Sequence, residues 1–475
     1  MTSAPGLRIV AVEFRERPVR LRMPFRFGVV TLTEAPQAFV RVRVRLDDGR
    51  EGWGAGAEIL APKWFDKNLA LSNEDNFDQL RLALALARDA YLDGAARTAF
   101  GHFAAHYREV IEAGARRDLN PLVACFGPAQ LDRAILDALC RLHRMSFYEA
   151  VQGNFAGIEP AAVAPDLAGF DIEAFLARLQ PADAIDSRHT VGLVDVIGGH
   201  PGQVNDGLPE SLEEVVATYG HRWYKLKVGG DVDEDVRRLA DIAAVLDASG
   251  RDYHASLDGN EQYDDLEALQ ALLARMDADP RLARLRGAIA FIEQPINRKH
   301  ALDRDVSAVS RTTPVIVDES DADLDAFPRA KALGYSGVSS KMCKGLYKSI
   351  LNAARCAQWS APAHRYFMTA EDLTTQAGLA VQQDLALVNL LGMTHVERNG
   401  HHYVNGMADL PADEQDAFLA AHPDLYERSH GAVRLRIRAG QLQIASLGCV
   451  GFASGAEPDW RAMTPMAERV ATEGK

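Results

Sequence analysis

The chain has no excess of positive charge and no long apolar run. Its 475 residues include 52 Lys and Arg against 66 Asp and Glu, which gives a net charge of −14. No basic stripe interrupts this acidic background, so the composition argues against a nucleic-acid-binding protein. No apolar stretch approaches the roughly 20 residues that a membrane-spanning helix needs. We therefore expect neither nucleic acid nor a membrane as a partner.

The five cysteines do not form the pattern of a disulfide framework or a zinc site. They lie at positions 125, 140, 343, 356 and 449, and no two of them have CxxC spacing. Such usage is typical of a reducing compartment. The sequence begins MTSAPGLRIVAVEF, which alternates like a strand and lacks the apolar block of a signal peptide. A cytoplasmic location is therefore the expectation.

The N-terminal part has mixed α+β patterns. Residues 7–22 and 38–46 alternate with period two, and residues 47–49 (Asp-Asp-Gly) are typical of a hairpin turn. The segment GWGAGAE (52–58) follows, and helical patterns come next. Residues 127–144 have apolar side chains every three and four positions, which predicts an amphipathic helix.

From about residue 189 the rhythm changes to short apolar runs that alternate with longer amphipathic stretches. The predicted strands are 190–198, 222–228, 253–258, 288–293, 313–318, 337–342, 364–370 and 393–397. Eight strands mostly separated by helices predict a parallel barrel. No standard barrel helix follows the eighth strand. A short helix and a strand pair within 433–445 come instead, and we expect this tail to return to the N-terminal domain.

Polar side chains follow the predicted barrel strands at their carboxyl ends, where barrels build active sites. They are Lys225 and Lys227 on the second strand, Asp258 and Asn260 on the third, Glu293 on the fourth, Asp318 and Glu319 on the fifth, and Lys341 on the sixth. Residues two apart on a strand face one side, so both lysines of the second strand can enter the barrel mouth. Three carboxylates brought together repel one another unless a cation lies between them. An all-oxygen set suits Mg²⁺ or Mn²⁺ better than zinc.

Lysines beside a metal in a dry pocket indicate proton transfer. Burial, the metal and the neighbouring lysine are expected to lower the lysine pKa, so that these side chains act as bases near neutral pH. The reaction that needs this set is removal of a proton alpha to a carboxylate, because that proton is very weakly acidic. A metal and an ammonium group together stabilise the resulting enediolate. The expected partner is a small substrate that carries a carboxylate.

In this order and at these separations, the motifs resemble the enolase superfamily in its mandelate racemase and muconate-lactonizing branches. The matching motifs are Lys-x-Lys, Asp-x-Asn, Glu-Gln-Pro, Asp-Glu-Ser and a final Lys, on the second to sixth strands. The resemblance implies an α/β fold, a modified TIM barrel (β/α)7β with an α+β capping domain. Residues 1–188 would form the cap and 189–430 the barrel, and 431–475 would return to the cap. It also implies a homo-oligomer.

The resemblance assigns a role to each polar residue. The implied metal ligands are Asp258, Glu293 and Asp318, supported by Asn260 and Glu319. The implied acid/base pair is Lys227 and Lys341, on opposite faces of the substrate, with Lys225 holding its carboxylate. The candidates for further substrate contact are Glu371, Glu397 and Arg398. The lysine on the sixth strand favours the muconate-lactonizing type of site.

Several alternatives stay open. Glu319 could replace Asp318 as a ligand, Lys344 could replace Lys341, and Arg398 could pair with a neighbouring carboxylate. Two facing lysines suit racemisation or epimerisation best. Cycloisomerisation and dehydration of a hydroxy or sugar acid share the same first step, and a non-catalytic acid-binding relative is the alternative from another class. The sequence also departs from the family: it reads Gly-Trp-Gly-Ala at 52–55, where Gly-Trp-Gly-Glu is usual.

Other side chains are candidates for secondary roles. His189 and His200 flank the predicted first barrel strand and could touch substrate. The histidines at 395, 401 and 402 are interpreted as structural or substrate-contacting, and no metal is assigned to them. Two phenylalanines and a tryptophan of the cap, at positions 25, 27 and 64, could line the pocket or belong to the core.

Overall fold

The computed structural model of the protein describes residues 4–28, 30–373 and 376–467. The first and last few residues of the predicted domains, 1–3 and 468–475, lie outside the described residues. The predicted domain boundaries at 188 and 430 stay predictions. The alternating segments of the N-terminal part form an antiparallel sheet in the order β1, β2, β3. These strands are β1 (Leu7–Phe27), β2 (Val30–Leu46) and β3 (Glu51–Ile59).

Helices follow this sheet along the chain. They are α1 (Asn73–Tyr91), α2 (Ala99–Ala115), α3 (Pro121–Ala124), α4 (Phe126–His143), α5 (Phe147–Gln152) and α6 (Ile172–Ala177). The helix predicted over 127–144 is α4, and it packs directly on β3. A Cβ atom at Gly54 would lie 2.1 Å from the backbone nitrogen of Ala138. Gly54 of GWGAGAE is therefore needed, because the helix backbone approaches the strand this closely.

Eight parallel strands close into a barrel, because the last of them pairs with the first. The strands are β4 (Ala184–Val191), β5 (Trp223–Lys227), β6 (His254–Asp258), β7 (Ile289–Glu293), β8 (Val315–Val317), β9 (Gly337–Ser340), β10 (Phe367–Ala370) and β11 (His395–Arg398). The expected fold, an α/β modified TIM barrel with an additional α+β domain, is confirmed.

Helices surround the barrel between its strands. They are α7 (Leu212–Tyr219), α8 (Val232–Ala248), α9 (Leu266–Ala278), α10 (Ala283–Ala288), α11 (Arg298–Ala301), α12 (Ser307–Ser310), α13 (Ala326–Ala332), α14 (Leu346–Trp359), α15 (Leu379–Leu390) and α16 (Gly400–Tyr403). Only the four-residue α16 follows the eighth strand directly. Among the described residues, no helix is both long and apolar enough to cross a membrane.

The predicted position of the first barrel strand, 190–198, was wrong. The strand is 184–191, and the chain turns at once after it, because the backbone N–H of Gly192 donates to Asp195 at 2.7 Å. The inward side chains of this strand include Arg188 and Thr190, which are buried by pairing with carboxylates. Because these inward residues are polar, the sequence of this strand contains no apolar run that would predict it.

The predicted strand pair within 433–445 was also wrong. The tail contains α17 (Ala412–Ala421), β12 (Tyr426–Ser429), β13 (Ala432–Leu435), β14 (Gln441–Gln443) and β15 (Thr464–Pro465). Strand β13 pairs with β12, whereas β14 adds antiparallel to β4 of the barrel. Beyond it, the rings of Phe452 and Phe147 stack at 4.0 Å, and β15 pairs with β1. These contacts attach the end of the chain to the N-terminal domain.

Candidate active site

The strand register brings the predicted site residues to one level at the barrel mouth. Lys227 is the register partner of Asp258, and Asp258 is the partner of Glu293. All three lie at the last position of their strands and are buried. Asp318 follows the next strand directly and is also buried. The carboxylates of three adjacent strands thus converge, as the sequence predicts.

The Lys225 ammonium group lies at the centre of this cluster. Its Nζ is 2.9 Å from Asp258, 2.8 Å from Glu293, 2.8 Å from Glu371 and 3.1 Å from Glu397. Four buried carboxylates around one cation place more negative than positive charge here. Burial acts to lower the pKa of Lys225, but the carboxylates, Asp258 first, raise it well above its usual value.

Lys227 and Lys341 lie on opposite sides of the barrel mouth. Lys227 ends the second of the eight strands and Lys341 directly follows the sixth, so four strand positions separate them in either direction around the barrel. Lys227 Nζ is 2.5 Å from Asp258 Oδ2, and Lys341 Nζ is 2.6 Å from Asp318 Oδ2. Each lysine therefore contacts a carboxylate at one edge of the cluster. Lys344, the alternative to Lys341, reaches Asp318 less closely, at 3.3 Å.

Carboxylate partners decide the direction of the pKa shift at Lys341 and Asp318. Burial acts to lower the pKa of Lys341, but Asp318 beside it raises the pKa above its usual value. Conversely, burial acts to raise the pKa of Asp318, but Lys341 and Lys344 hold it well below its usual value. Direct ion pairs with carboxylates therefore outweigh both burial and lysine–lysine repulsion at Lys341. The lowered pKa expected for lysines beside a bound metal stays a prediction.

The carboxylates fit a hard divalent cation. Burial and the neighbouring Asp258 raise the pKa of Glu293 well above its usual value, which indicates a site short of positive charge. The two predicted supporting residues contact each other, because Asn260 Nδ2 donates to Glu319 Oε1 at 3.1 Å. The backbone N–H of Asn260 donates to Asp258 at 2.8 Å and fixes that carboxylate. Three buried carboxylates held in this way are the oxygen ligands that Mg²⁺ prefers.

Two of the three candidates for further substrate contact face the barrel interior. Glu371 pairs with Arg188 and Lys225. Glu397 accepts hydrogen bonds from Thr190 at 2.6 Å and from Asn399 at 2.9 Å. Both glutamates therefore already have partners inside the barrel. We call this layer of inward-facing side chains the barrel floor; it consists of Arg188, Lys225, Glu371 and Glu397. Arg188 is absent from the sequence predictions, because the strand that carries it was misplaced.

The Arg398 side chain points away from the barrel interior, toward α15. It pairs with Asp384 of α15 and lies 3.4 Å from Asp372, which is the ion-pair alternative considered for it. His200 is exposed and 2.5 Å from Glu214. The structure brings neither side chain to the cavity at the barrel mouth.

The N-terminal domain closes this cavity. Phe25, Phe27 and Trp64 line it opposite the lysines. Lys341 Nζ lies 4.3 Å from the centre of the Trp64 ring, within the range of a cation–π contact. A further cation comes from the same segment, since Lys67 Nζ donates to the backbone oxygen of Asn260 at 2.6 Å. Sequence reasoning missed Lys67, because the segment 61–68 matches no motif of the barrel.

Comparisons with known proteins agree with this geometry. Residues 207–423 match the family model described as enolase C-terminal domain-like. A mandelate racemase/muconate lactonizing protein from Herpetosiphon aurantiacus has a similar structure at 16% identity, with a TM-score of 0.60, and the match covers 95% of this chain and 99% of that chain. No curated protein sequence matches the chain.

Two further solved structures are similar over nearly their whole length. One is a muconate lactonizing enzyme from Mycobacterium smegmatis in complex with muconolactone, at 19% identity and a TM-score of 0.59, covering 95% of this chain and 98% of that chain. The other is a dipeptide epimerase from Methylococcus capsulatus in complex with Mg and the dipeptide L-Arg-D-Lys. It has 18% identity and a TM-score of 0.56, covering 92% of this chain and 99% of that chain.

Proposed function

We propose, on the premise that the barrel, of which residues 207–423 match the enolase C-terminal domain-like model, is of the enolase type, that this protein is a Mg²⁺-dependent enzyme. It removes a proton alpha to the carboxylate of a small substrate and returns a proton to the same carbon. The observation that carries the proposal is the position of Lys227 and Lys341 on opposite sides of three buried carboxylates.

Asp258, Glu293 and Asp318 would hold the metal ion. When bound, Mg²⁺ supplies positive charge that stabilises the negative charge developing on the substrate carboxylate. Lys225 adds a second positive charge at the barrel floor, because its Nζ lies within 3.1 Å of Glu293 and Glu397. Lys225 would therefore add to the positive charge that the metal supplies beside the substrate carboxylate.

Lys227 and Lys341 would divide the proton transfers between them. With Asp258 and Asp318 committed to the metal, one lysine would act as the neutral amine and take the alpha proton from its side. The other, as the ammonium, would deliver a proton from the far side. Inversion of the carbon follows, which is racemisation or epimerisation. Trp64 lies against Lys341 and limits the access of water to that face. The phenylalanines at 25 and 27 favour acids with an apolar group near the alpha carbon.

The test is exchange of the alpha hydrogen in D₂O with Mg²⁺ present, over a library of acids that includes aromatic, aliphatic and sugar acids. The proposal predicts deuterium incorporation with inversion for at least one acid. Lys227→Ala should reduce exchange by 10²-fold or more, as expected for loss of a general base, and Lys299→Ala, at an exposed lysine, should not. Absence of exchange with every acid tested would refute the proposed enzymatic activity. Loss of water from the acid would replace racemisation with dehydration.

A further inference from the structure

A cluster of buried histidines lies on the outer side of the barrel, separate from the proposed catalytic centre. It consists of His189 on β4, His221 before β5, and His401 in α16. His189 faces outward because its neighbours in the strand, Arg188 and Thr190, face the interior and bond to Glu371 and Glu397. Three separate elements thus bring their imidazoles together outside the barrel wall, near where a standard eighth helix is missing.

The ring nitrogens have the spacing of a metal site. One nitrogen from each of the three histidines lies within 4.8 Å of the other two. A tetrahedral ion with bonds of about 2.0–2.1 Å needs nitrogens roughly 3.4 Å apart. His189 Nδ1 and His401 Nε2 already approach that distance, because they share a hydrogen bond at 3.1 Å. The ring that donates in this bond must move its proton to its other nitrogen before both atoms can bind the ion. The remaining pairs need only small side-chain shifts to reach it.

The hydrogen bonding leaves one of these nitrogens ready to bind. His221 Nδ1 must donate to the backbone oxygen of Ser187 at 2.9 Å, since a carbonyl can only accept. Its Nε2 therefore carries the lone pair, and this buried atom has no hydrogen-bond partner in the described part of the chain. A ring N–H fixed on a carbonyl, with the opposite nitrogen free, is the usual arrangement of a metal-binding histidine.

The histidines are also in the protonation state that a metal requires. Burial lowers the pKa of His221 to about 4 and lowers the pKa of His189 and His401 well below the usual value. Burial therefore favours the neutral ring, which is the form in which a histidine binds a metal. A fourth histidine, His402, has its ring centre 5.0 Å from that of His189, and its buried Nδ1 also lacks a partner among the described residues.

We infer that His189, His221 and His401 form a second metal site, which takes a divalent transition metal such as Zn²⁺ through imidazole nitrogen. Nitrogen ligands suit this class of ion, whereas the oxygen cluster in the barrel mouth suits Mg²⁺. The ion cross-links β4, the start of β5 and the segment after β11. The ion therefore stabilises the outer wall of the barrel at the point where only the short helix α16 follows the last strand directly. The site is structural and does not depend on the proposed reaction.

The test uses the full chain, dialysed with one added equivalent of Zn²⁺ or Co²⁺ in a large excess of Mg²⁺ that occupies the oxygen ligands. We expect about one tightly held transition metal per chain by elemental analysis, and the strong visible absorption of tetrahedral Co²⁺. His221→Phe and His401→Gln should each weaken binding at least tenfold. His364→Gln, at an exposed histidine outside the cluster, should bind as the wild type does.

A readout that needs no variant covers the case in which a substitution disturbs folding. X-ray absorption of the Zn²⁺-loaded wild-type protein should show scattering from at least three imidazole rings. Absence of a retained metal, a purely oxygen coordination shell, or equal binding by the cluster variants and His364→Gln would each overturn the proposal.

Discussion

The ion pair between Arg188 and Glu371 offers a test of how the barrel floor is stabilised. Both side chains are completely buried. Arg188→Met removes the positive charge and keeps much of the volume, which leaves Glu371 with Lys225 as its remaining cation, at 2.8 Å. Arg188 also donates to the backbone oxygen of Ala370 at 2.9 Å, and that bond is lost as well.

Breaking one side of a buried pair costs about 3–5 kcal/mol, because the partner charge remains without compensation. We expect Arg188→Met to lower the free energy of unfolding by an amount in this range, measured by urea unfolding followed by circular dichroism. The double variant Arg188→Met/Glu371→Gln should cost less than the sum of the single variants, because it also removes the unpaired charge.

The matched control is an exposed pair of the same residue types. Arg20 lies 3.8 Å from Glu34, and their side chains are 80% and 70% exposed. Arg20→Met should cost less than about 1 kcal/mol, as surface ion pairs do. If Arg188→Met cost no more than Arg20→Met, or if the double variant showed no coupling, the assignment of Arg188 as the counter-charge of the barrel floor would be refuted.

Three further substitutions test packing and the cavity wall. Gly54→Ala should destabilise the fold by about 2 kcal/mol or more, because its Cβ meets helix backbone, whereas Gly287→Ala, with open space around its Cβ, should be neutral or slightly stabilising in thermal unfolding. Phe452→Ala should cost about 3–5 kcal/mol, since it removes a fully buried ring that attaches the tail; a loss below 1 kcal/mol would contradict that role. Trp64→Leu should lower kcat/KM in the exchange assay by about 5–30-fold, because it removes a desolvated cation–π contact with Lys341. An unchanged kcat/KM would show that this contact does not contribute to the reaction.

The barrel and its site motifs were predictable because their signals are local. Lys225 and Lys227 take the same side of one strand by simple alternation, and the carboxylates come at strand ends that a parallel barrel must bring to one level. The fold was therefore confirmed from patterns that a single sequence contains. The match of residues 207–423 to the enolase C-terminal domain-like model agrees with the resemblance seen in the motifs. The roles of the individual residues stay predictions until the reaction is measured.

What could not be predicted depends on partners distant in sequence. Arg188 is buried because Glu371, 183 residues away, neutralises it, so no local pattern distinguishes its strand. The raised pKa of Lys225 and Lys341 has the same origin, since it depends on which carboxylates each ammonium group contacts. Lys67 reaches the barrel only because the fold places its loop over Asn260.

The central claim is that two lysines serve opposite faces of one carbon, and the exchange of separate enantiomers tests it most directly. With an acid that the wild type racemises, deuterium incorporation is measured for each pure enantiomer with Lys227→Ala and with Lys341→Ala, after circular dichroism has confirmed folding. Each variant should lose exchange of one enantiomer by 10²-fold or more and retain exchange of the other, with the preference reversed between the two variants. Equal loss for both enantiomers in either variant, or no loss in both, would contradict the two-base account.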